Sequence, residues 1–372
     1  MIQAAVARRP HAPLSIEPLT LEAPRADEVL VKVIATGVCH TDIAMRDQTY
    51  AVPQPIVLGH EGAGVVVATG SAVTKVAVGD HVVMSFNFCG HCGSCIEHQP
   101  QYCHDYFTHN FAGIRADTST ALTNGDEKVH SHFFGQSSFA TFAVCRERNA
   151  IKVARNVPLE LLGPLACGVQ TGAGAVINSL KIGVGRSLAV FGAGSVGLSA
   201  VMAARVVGAT IIIAVDINDE RLALALELGA THTINAQREN AAEAVLAITG
   251  NGVNFALDTT GRAQTIRNAV DSLAPRGICG LVGASPAGTD IAIDSMNIMT
   301  AGRQIRGIVE GDSAPDVFIP QLIELYRQGR FPFDRLIKFY PFSEINTAID
   351  DTEKGRTVKP VLRMTLEPSP GA

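Results

Sequence analysis

Four cysteines lie within fifteen residues of this chain, and no other sequence feature constrains its fold as strongly. Cys89, Cys92, Cys95 and Cys103 have the spacing C-x2-C-x2-C-x7-C. Thiolates separated by turn-length gaps can converge on one tetrahedral ion, and four of them fill its coordination sphere. The spacing therefore predicts a structural zinc lobe over residues 86–106, with no position left open for chemistry.

Disulfide bonds or an iron–sulfur centre could also account for four cysteines so close together. Disulfides need an oxidising compartment, and residues 1–18 contain no apolar run that resembles a signal peptide. Ferredoxins also use a C-x2-C-x2-C run, but their last cysteine lies closer and precedes a proline, whereas His104 follows Cys103 here. Zinc is therefore the favoured ligand, and a cytoplasmic location is expected.

The length, net charge and hydropathy of the chain indicate its domain number and exclude two classes of partner. A chain of 372 residues is long enough for two domains with separate cores. Its net charge of -5 gives no basic footprint for nucleic acid. No apolar stretch is long enough to span a bilayer. Neither nucleic acid nor a membrane is therefore an expected partner.

The sequence pattern of the first half of the chain is typical of a β-protein. Residues 28–36, 62–69 and 80–85 are short, β-branched runs bounded by turn residues. Residues 112–129 are polar and aperiodic and are expected to form a long surface loop, after which 132–144 resume a strand-like pattern. From about residue 161, helical patterns rich in Ala, Gly and Leu alternate with buried strands, which indicates a second domain.

A glycine-rich turn in the second half follows Ser187–Phe191, an apolar run typical of a buried parallel strand. Gly192, Gly194 and Gly197 form the pattern GxGxxG, and residues 198–207 have a helical pattern. Such glycines permit the tight turn, the approach of a pyrophosphate and close packing of helix on strand, and the helix N-terminus attracts the phosphates. The context predicts a dinucleotide site, although the glycines could also simply shape a turn of a doubly wound sheet.

An acidic residue indicates which dinucleotide to expect. The next apolar strand, 211–215, ends in Asp216, nineteen residues after Gly197. Its carboxylate would accept hydrogen bonds from the adenosine ribose hydroxyls and repel a 2′-phosphate. The sequence therefore predicts NAD in preference to NADP.

Further metal-ligand candidates are Cys39, His60 and Cys167, with Glu61 beside His60. Taken singly, a cysteine in such a chain is more often a small core residue. We expect that role of Cys145 and Cys279.

The chain resembles the zinc-dependent medium-chain alcohol dehydrogenases over nearly its whole length. The motifs that carry the resemblance are Cys39-His40-Thr41-Asp42, Gly59-His60-Glu61-Gly62, the four cysteines, Cys167, and the GxGxxG unit with Asp216. Within the family, the stretches HFFGQSSFATFA and ELLGPLACGVQTGAG look most like bacterial aryl-alcohol (benzyl alcohol) dehydrogenases and geraniol-type or perillyl-alcohol dehydrogenases.

The resemblance implies an α/β plus mostly-β architecture. Residues 1–168 would form a GroES-like catalytic domain and residues 169–309 a Rossmann domain with a doubly wound parallel sheet. Residues 310–372 would return to the catalytic domain. The resemblance also implies a homodimer or homotetramer that binds NAD and two zinc ions per chain.

The same resemblance assigns roles to single residues. Cys39, His60 and Cys167 would hold a catalytic zinc and leave one position for the alcohol oxygen. Thr41 would take the alcohol proton, Asp42 would orient His60, and Glu61 would approach the zinc during ligand exchange; Asp42 and Glu61 could instead be ordinary turn or cap residues. The expected coenzyme contacts are His40, Gly192, Gly194, Ser195, Val196, Gly197, Asp216, Arg221, Val282 and Lys359.

The implied reaction is oxidation of a primary aryl or allylic alcohol to the aldehyde by hydride transfer to NAD. Tyr50, Phe133 and Phe134 would line the substrate channel and favour a flat alcohol, unless the two phenylalanines are plain core residues. Alternatives on the same scaffold are a geraniol or perillyl alcohol dehydrogenase and a glutathione-dependent formaldehyde dehydrogenase. A nucleotide-binding protein without catalysis is a more distant alternative.

Two positions depart from the better-known animal members of the family. His40 stands where those carry an arginine that grips the pyrophosphate, which predicts faster release of NADH. Ala44 stands where many members place a histidine at the solvent end of the proton relay, so water or His40 would have to serve there.

Overall fold

The computed structural model describes residues 1–364, which divide into two units. The first unit contains Met1–Cys167, Ala314–Ile323 and the chain from Asp334 on, and the second contains Gly168–Ser313 and Glu324–Phe333. The expected domain boundaries near residues 168 and 310 lie close to two of these junctions. The short segment 324–333 of the second unit had no sequence signal. Residues 365–372 of the expected C-terminal return lie outside the described part of the chain.

Eighteen strands lie in the described residues: β1 (Ile2–Ala7), β2 (Ser15–Leu21), β3 (Glu28–Gly37), β4 (Ile56–Val57), β5 (Gly62–Thr69), β6 (His81–Met84), β7 (Leu122–Asn124), β8 (Glu127–Val129), β9 (Phe142–Arg146), β10 (Ala150–Val153), β11 (Ser187–Phe191), β12 (Ile211–Asp216), β13 (His232–Asn235), β14 (Val253–Asp258), β15 (Leu273–Leu281), β16 (Gln304–Gly307), β17 (Ile337–Pro341) and β18 (Lys359–Arg363). The same residues form eleven α-helices: α1 (His40–Arg46), α2 (Gly93–Ile96), α3 (Tyr106–Phe111), α4 (Gly168–Gly174), α5 (Ser195–Val206), α6 (Asp219–Leu228), α7 (Ala241–Thr249), α8 (Ala263–Asp271), α9 (Ser295–Ala301), α10 (Pro315–Arg327) and α11 (Ile345–Glu353). None of these helices is long and apolar enough to cross a membrane.

Two sheets form the first unit, as its strand pattern predicts. One has the order β4-β1-β2-β7-β8, and the other has the order β10-β6-β5-β3-β18-β17 with β9 also paired to β3. In β3, Val29, Val31 and Val33 are buried while Lys32 is exposed, so alternate side chains reach the core. The last strand of the described residues, β18, lies between β3 and β17 and ties the segment after Asp334 into this sheet.

The second unit contains a six-stranded parallel sheet with the order β13-β12-β11-β14-β15-β16. Every residue of β11 is buried, as expected of a central strand covered on both faces. The strand order reverses at β11, and such switch points are where doubly wound sheets bind their ligands. The GxGxxG turn joins β11 to α5 at this place. The predicted Rossmann sheet is confirmed.

The segment 112–129 is not the plain surface loop that its polar sequence predicts. Its second half forms a hairpin of β7 and β8, with Gly125 in the turn at φ +58°. Its first half buries Arg115, whose guanidinium donates to both carboxylate oxygens of Glu28 at 2.7 and 2.9 Å. Arg115 and Glu28 are 87 positions apart, so their ion pair buries charged groups that the local sequence predicts to be exposed to solvent.

Residues 132–141 also differ from the expected strand. Phe133–Gly135 forms a 3₁₀ turn, and β9 starts only at Phe142. His132, Phe134 and Gly135 have left-handed backbone conformations, with φ of +64°, +49° and +67°. For bulky residues such conformations cost on the order of 1–3 kcal/mol and persist only where the surrounding contacts hold them.

Candidate active site

Cys39, His60 and Cys167 come together in the first unit although they are far apart in the sequence. Cys39 precedes α1, His60 lies in the turn between β4 and β5, and Cys167 follows the 3₁₀ turn Gly163–Ala166. Their sulfur and imidazole nitrogen atoms, with a carboxylate oxygen of Glu61, all lie within 4.8 Å of one another. We refer to Cys39, His60 and Cys167 as the three-ligand set.

Asp42 fixes the geometry of this set. Its carboxylate is 1% exposed and lies 2.8 Å from His60 Nδ1. It also accepts from the backbone N–H groups of Gly59 at 3.0 Å and Cys39 at 2.9 Å, the latter as part of the cap of α1. A carboxylate at Nδ1 keeps the proton there and leaves Nε2 as the ligand atom. That buried Nε2 has no hydrogen-bond partner among the described residues, so the imidazole fits a metal ion.

The electrostatics of the set favour a cation beside the sulfurs. A hydrogen bond with Cys167 and the charge of Lys359 outweigh burial and hold the pKa of Cys39 well below its usual range. Burial by itself would lower the pKa of His60, but Asp42 and Cys39 raise this pKa well above its usual range. The surroundings thus stabilise a thiolate with a positive charge next to it. A bound Zn²⁺ would supply that charge.

Glu61 lies beside the three-ligand set, and its carboxylate is paired with Lys359. Lys359 Nζ donates to the two Glu61 oxygens at 2.8 and 3.0 Å and to the Val38 carbonyl oxygen at 3.3 Å. Burial raises the pKa of Glu61, although the charge of Lys359 opposes the rise. The resemblance assigns Lys359 to the coenzyme, whereas here its ammonium contacts Glu61, because a buried carboxylate needs a counter-ion.

Gln136 is a buried residue of the site that the sequence did not single out. It donates to the carbonyl oxygens of His60 at 3.0 Å and Met84 at 2.8 Å, and it accepts from the Gly62 N–H at 3.1 Å. These bonds hold the backbone on both sides of Glu61. A lone glutamine leaves no periodic or spacing signal, and only its place inside HFFGQSSFATFA could have indicated it.

Phe133 and Phe134 pack against His60. The Phe134 ring stacks on the imidazole at a centroid distance of 4.6 Å with the planes 27° apart, and Phe133 meets it edge-on at 5.6 Å. Phe133 is 0% exposed and Phe134 5%. Burial of this degree agrees with the core alternative, and a place for the two rings along the substrate channel stays a prediction. Tyr50 lies half-buried against the same core.

The four cysteines Cys89, Cys92, Cys95 and Cys103, here called the four-cysteine set, form a local lobe around α2. Their sulfur atoms lie within 4.8 Å of one another, and those of Cys89 and Cys95 are 3.8 Å apart. A tetrahedron with Zn–S bonds of about 2.3 Å has edges of about 3.8 Å, so the spacing fits zinc. All eight cysteines are free of disulfides. Backbone N–H groups of His91 and Cys92 also donate to Cys89 Sγ, at 3.4 and 3.2 Å.

The GxGxxG turn contains one glycine that the protein itself does not require. Gly192 has φ +99°, and a Cβ there would collide with Thr259 Oγ1; a Cβ on Gly197 would collide with the Gly192 carbonyl oxygen. A Cβ on Gly194, in contrast, would meet no protein atom within 4 Å. Open space at this position, before the N-terminus of α5, fits a pyrophosphate.

Asp216 lies beside this turn at the end of β12. Its Oδ2 accepts from the Ala193 N–H at 2.6 Å, and its Oδ1 accepts from the next two backbone N–H groups at 2.8 and 2.9 Å. Each oxygen of a carboxylate has two lone pairs, so acceptor capacity remains. Arg221 on α6 has a buried Nε without a hydrogen-bond partner among the described residues. Both residues therefore retain polar capacity for a ligand.

The other expected site residues lie at the starts of helices or just after a strand. His40 is the exposed first residue of α1, and Thr41 follows it, half-buried. Ser195 and Val196 form the half-buried first turn of α5, where Ser195 Oγ has no hydrogen-bond partner in residues 1–364. Val282 is half-buried directly after β15.

Comparison with known proteins gives a consistent result. Residues 25–155 match the alcohol dehydrogenase GroES-like domain family, and residues 195–327 match the zinc-binding dehydrogenase family. The chain is 48% identical over 362 residues to geraniol dehydrogenase of Castellaniella defragrans, with 97% of each chain covered. It is also similar, over 98% of its length and 99% of theirs, to two crystal structures. These are an alcohol dehydrogenase zinc-binding domain protein from Burkholderia ambifaria (57% identity, TM-score 0.97) and benzyl alcohol dehydrogenase from Acinetobacter calcoaceticus (50%, 0.96).

These similarities extend over both units. The zinc-compatible three-ligand set and the Rossmann sheet agree with them. The chain therefore belongs to the zinc-binding medium-chain alcohol dehydrogenase family.

Proposed function

We propose that the protein oxidises a primary aryl or allylic alcohol, of the benzyl alcohol type, to its aldehyde with NAD as hydride acceptor and zinc at the three-ligand set. The observation that carries the proposal is the buried His60 Nε2, which lacks a hydrogen-bond partner among the described residues and lies beside two cysteine sulfurs. A bound zinc ion is a Lewis acid that lowers the pKa of an alcohol, and NAD accepts a hydride.

The chain's own residues would hold the ligands and move the proton. Cys39, His60 and Cys167 supply three ligands, the number found in catalytic zinc sites that keep a fourth position for substrate. The Thr41 hydroxyl would take the alcohol proton. The exposed His40 imidazole next to it would pass the proton to water, since the methyl side chain of Ala44 cannot.

Relatives of two kinds support the substrate class. The relative from Acinetobacter calcoaceticus is a benzyl alcohol dehydrogenase, and the one from Castellaniella defragrans is a geraniol dehydrogenase. Both names describe primary alcohols whose hydroxyl-bearing carbon is next to an unsaturated carbon. We rank aryl alcohols first, and geraniol or perillyl alcohol is the second candidate.

Steady-state kcat/KM values with NAD test the substrate class. The set would include benzyl alcohol, geraniol, perillyl alcohol, ethanol and S-hydroxymethylglutathione. We expect ethanol to be at least about tenfold poorer than benzyl alcohol, because a small substrate forgoes the apolar contacts that discriminate by about 1–3 kcal/mol. A preference for ethanol would contradict the aryl proposal. A preference for geraniol would select the second candidate, and one for S-hydroxymethylglutathione would indicate a formaldehyde dehydrogenase.

The coenzyme part of the proposal has its own test. Gly194→Ala should raise the KM for NAD about tenfold, equal to about 1.4 kcal/mol, because the methyl group would occupy the space of the pyrophosphate. The matched control is Gly183→Ala, in the same unit, where an added Cβ also meets no protein atom within 4 Å. Equal KM values for the two variants would contradict the assignment. NADP should be a poor substitute for NAD, since Asp216 repels a 2′-phosphate.

Two zinc ions per chain and a cytoplasmic location complete the proposal. The two ligand clusters support the metal count. A reducing compartment would keep all eight thiols free. Elemental analysis of the purified protein should give two zinc ions per chain, and one or none would contradict the count.

We also propose a homo-oligomer joined through the second unit. Strand β16 is an edge strand, and its four residues are all exposed. Ile305 on it is 40% exposed, and Met296 and Met299 on α9 are 57% and 66% exposed. An exposed edge with apolar neighbours pairs readily with a second copy. Antiparallel pairing about a two-fold axis would give a dimer, and a tetramer would need a second interface.

Sedimentation equilibrium tests the homo-oligomer. The parent protein should be a dimer or tetramer, and Ile305→Lys should dissociate it. A monomeric parent protein would contradict this.

A further inference from the structure

A continuous chain of aromatic rings connects the four-cysteine lobe to His60 within the first unit. Helix α3 begins three residues after Cys103 and ends at Phe111. The Phe111 ring lies 5.9 Å from Phe133 and 5.2 Å from Phe134, nearly perpendicular to both. Phe133 and Phe134 are 5.0 Å apart, and both rings contact the imidazole of His60. We refer to Phe111, Phe133 and Phe134 as the aromatic bridge.

The lobe end of the bridge is tied to the backbone on both sides of the four cysteines. The Tyr106 N–H donates to the Cys103 carbonyl oxygen at 2.9 Å, and the Tyr106 ring lies 6.4 Å from Phe111. Asn110, which is 0% exposed, donates to the Asn87 carbonyl oxygen at 2.9 Å and accepts from the Asn87 N–H at 2.8 Å. The position of Phe111 therefore depends on the order of the lobe.

At its other end, the bridge restrains the ring of His60. Asp42 holds Nδ1, Phe134 covers one face of the imidazole, and Phe133 meets it edge-on. Only Nε2, the atom left for a metal, has no hydrogen-bond partner among the described residues. Phe134 does this from φ +49°, a conformation that a bulky residue rarely adopts and that clusters at functional sites.

We propose that Phe134 is a positioning residue for His60, and that the aromatic bridge lets an ordered four-cysteine lobe strengthen metal binding at the three-ligand set. The inference rests on the proposed function, in that both sets hold zinc. The physical reason is preorganisation: an imidazole that is already fixed loses less conformational freedom when it binds a metal. Groups that orient a ligand in this way typically change metal affinity 10–100-fold.

The test of Phe134 measures zinc release from the complete holoenzyme to the chelating dye 4-(2-pyridylazo)resorcinol. Zinc release should have two kinetic phases, one for each set. The phase that is missing in His60→Ala belongs to the three-ligand set. Phe134→Leu should release that zinc about tenfold faster or more, and the lobe zinc at the parent rate, whereas Phe134→Tyr keeps the ring and should keep the rate. The matched control is Phe342→Leu: Phe342 is fully buried in the same core and makes no ring contact in residues 1–364. A parent-like rate in Phe134→Leu would overturn the proposal.

The bridge itself is tested by a double-mutant cycle. Cys103→Ser should accelerate zinc release from the three-ligand set, and the acceleration should be smaller in a Phe111→Leu background, because the connection is already weakened. Equal acceleration in both backgrounds would overturn the bridge. If Phe134→Leu does not fold, the test uses Phe111→Leu with cobalt bound at the three-ligand set in place of zinc. A cobalt–thiolate spectrum and a cobalt release rate that both equal those of the parent protein would overturn the proposal. A parent protein with fewer than two zinc ions would instead refute the proposed function.

Discussion

The two ligand sets of the first unit are built by the chain in opposite ways. The four-cysteine set is contained in residues 89–103, and the same loop donates backbone hydrogen bonds to its sulfur atoms. The three-ligand set joins residues 39, 60 and 167 and depends on Asp42, in the helix that Cys39 caps, and on Gln136 and Lys359 from other parts of the chain. A local set of like ligands closes around an ion and stabilises structure, whereas a set assembled by the whole fold can leave a position open.

The largest effect should come from removing a ligand of the three-ligand set. His60→Ala should lower kcat roughly a thousandfold or more, because a catalytic metal contributes several kcal/mol to the transition state. The variant should lose one of two zinc ions and keep its far-ultraviolet circular dichroism. The control is His232→Ala, an exposed histidine of the second unit. Retained activity in His60→Ala would remove the distinction between the two sets.

Loss of a lobe cysteine should act mainly on stability. Cys103→Ser should lower the free energy of unfolding on the order of 4 kcal/mol, since the lobe loses its metal and its neighbours lose order. The control Cys145→Ala changes a buried cysteine outside both sets and should cost about 1 kcal/mol. Urea unfolding with zinc analysis measures both. If Cys103→Ser abolished activity with no change in the unfolding midpoint, the lobe would have a direct part in the chemistry.

A smaller effect is expected at the residue that orients His60. Asp42→Asn keeps the shape of the side chain but removes its charge and leaves one oxygen for three donors, which should weaken zinc binding at the three-ligand set about 10–100-fold. Competition with a chelator of known affinity measures the change, and the lobe zinc should be unaffected. Asp126→Asn, at an exposed turn, provides the control. Equal loss of both zinc ions from Asp42→Asn would show that Asp42 does not act on the three-ligand set in particular.

The smallest effect should be seen at the cysteines outside both sets. Burial raises the pKa of the Cys145 and Cys279 thiols to about 12. The reactive thiolate forms only as the pH approaches that pKa, so neither residue should react with iodoacetamide at pH 8. Mass spectrometry after removal of metal should find label on Cys39 and Cys92, whose thiol pKa values are lowered, and not on Cys145 or Cys279. Label on Cys145 or Cys279 in the folded protein would contradict their assignment to the core.

The sequence predicts local features of this protein better than those that depend on distant contacts. The spacing of Cys89 to Cys103 and the GxGxxG turn each lie in one short stretch, and the structure has both as expected. The three-ligand set required a family resemblance, because Cys39 and Cys167 by themselves look like core residues. The left-handed turn at Phe134 and the contact of Lys359 with Glu61 had no local signal, since each is held by side chains far away in the sequence.

The position of β18 implies an order of events during synthesis. This strand lies beside β3 in the interior of its sheet, yet of the strands in residues 1–364 it is the last to leave the ribosome. At about 5–20 residues per second, the lobe is available for folding well before Cys167 emerges, and the whole second unit is made before Lys359 appears. The first unit therefore waits with the end of β3 unpaired at the edge of its sheet while the second unit folds. A chain interrupted before residue 359 would carry a formed lobe and a coenzyme sheet, but Glu61 would lack its counter-ion and the metal site would be incomplete.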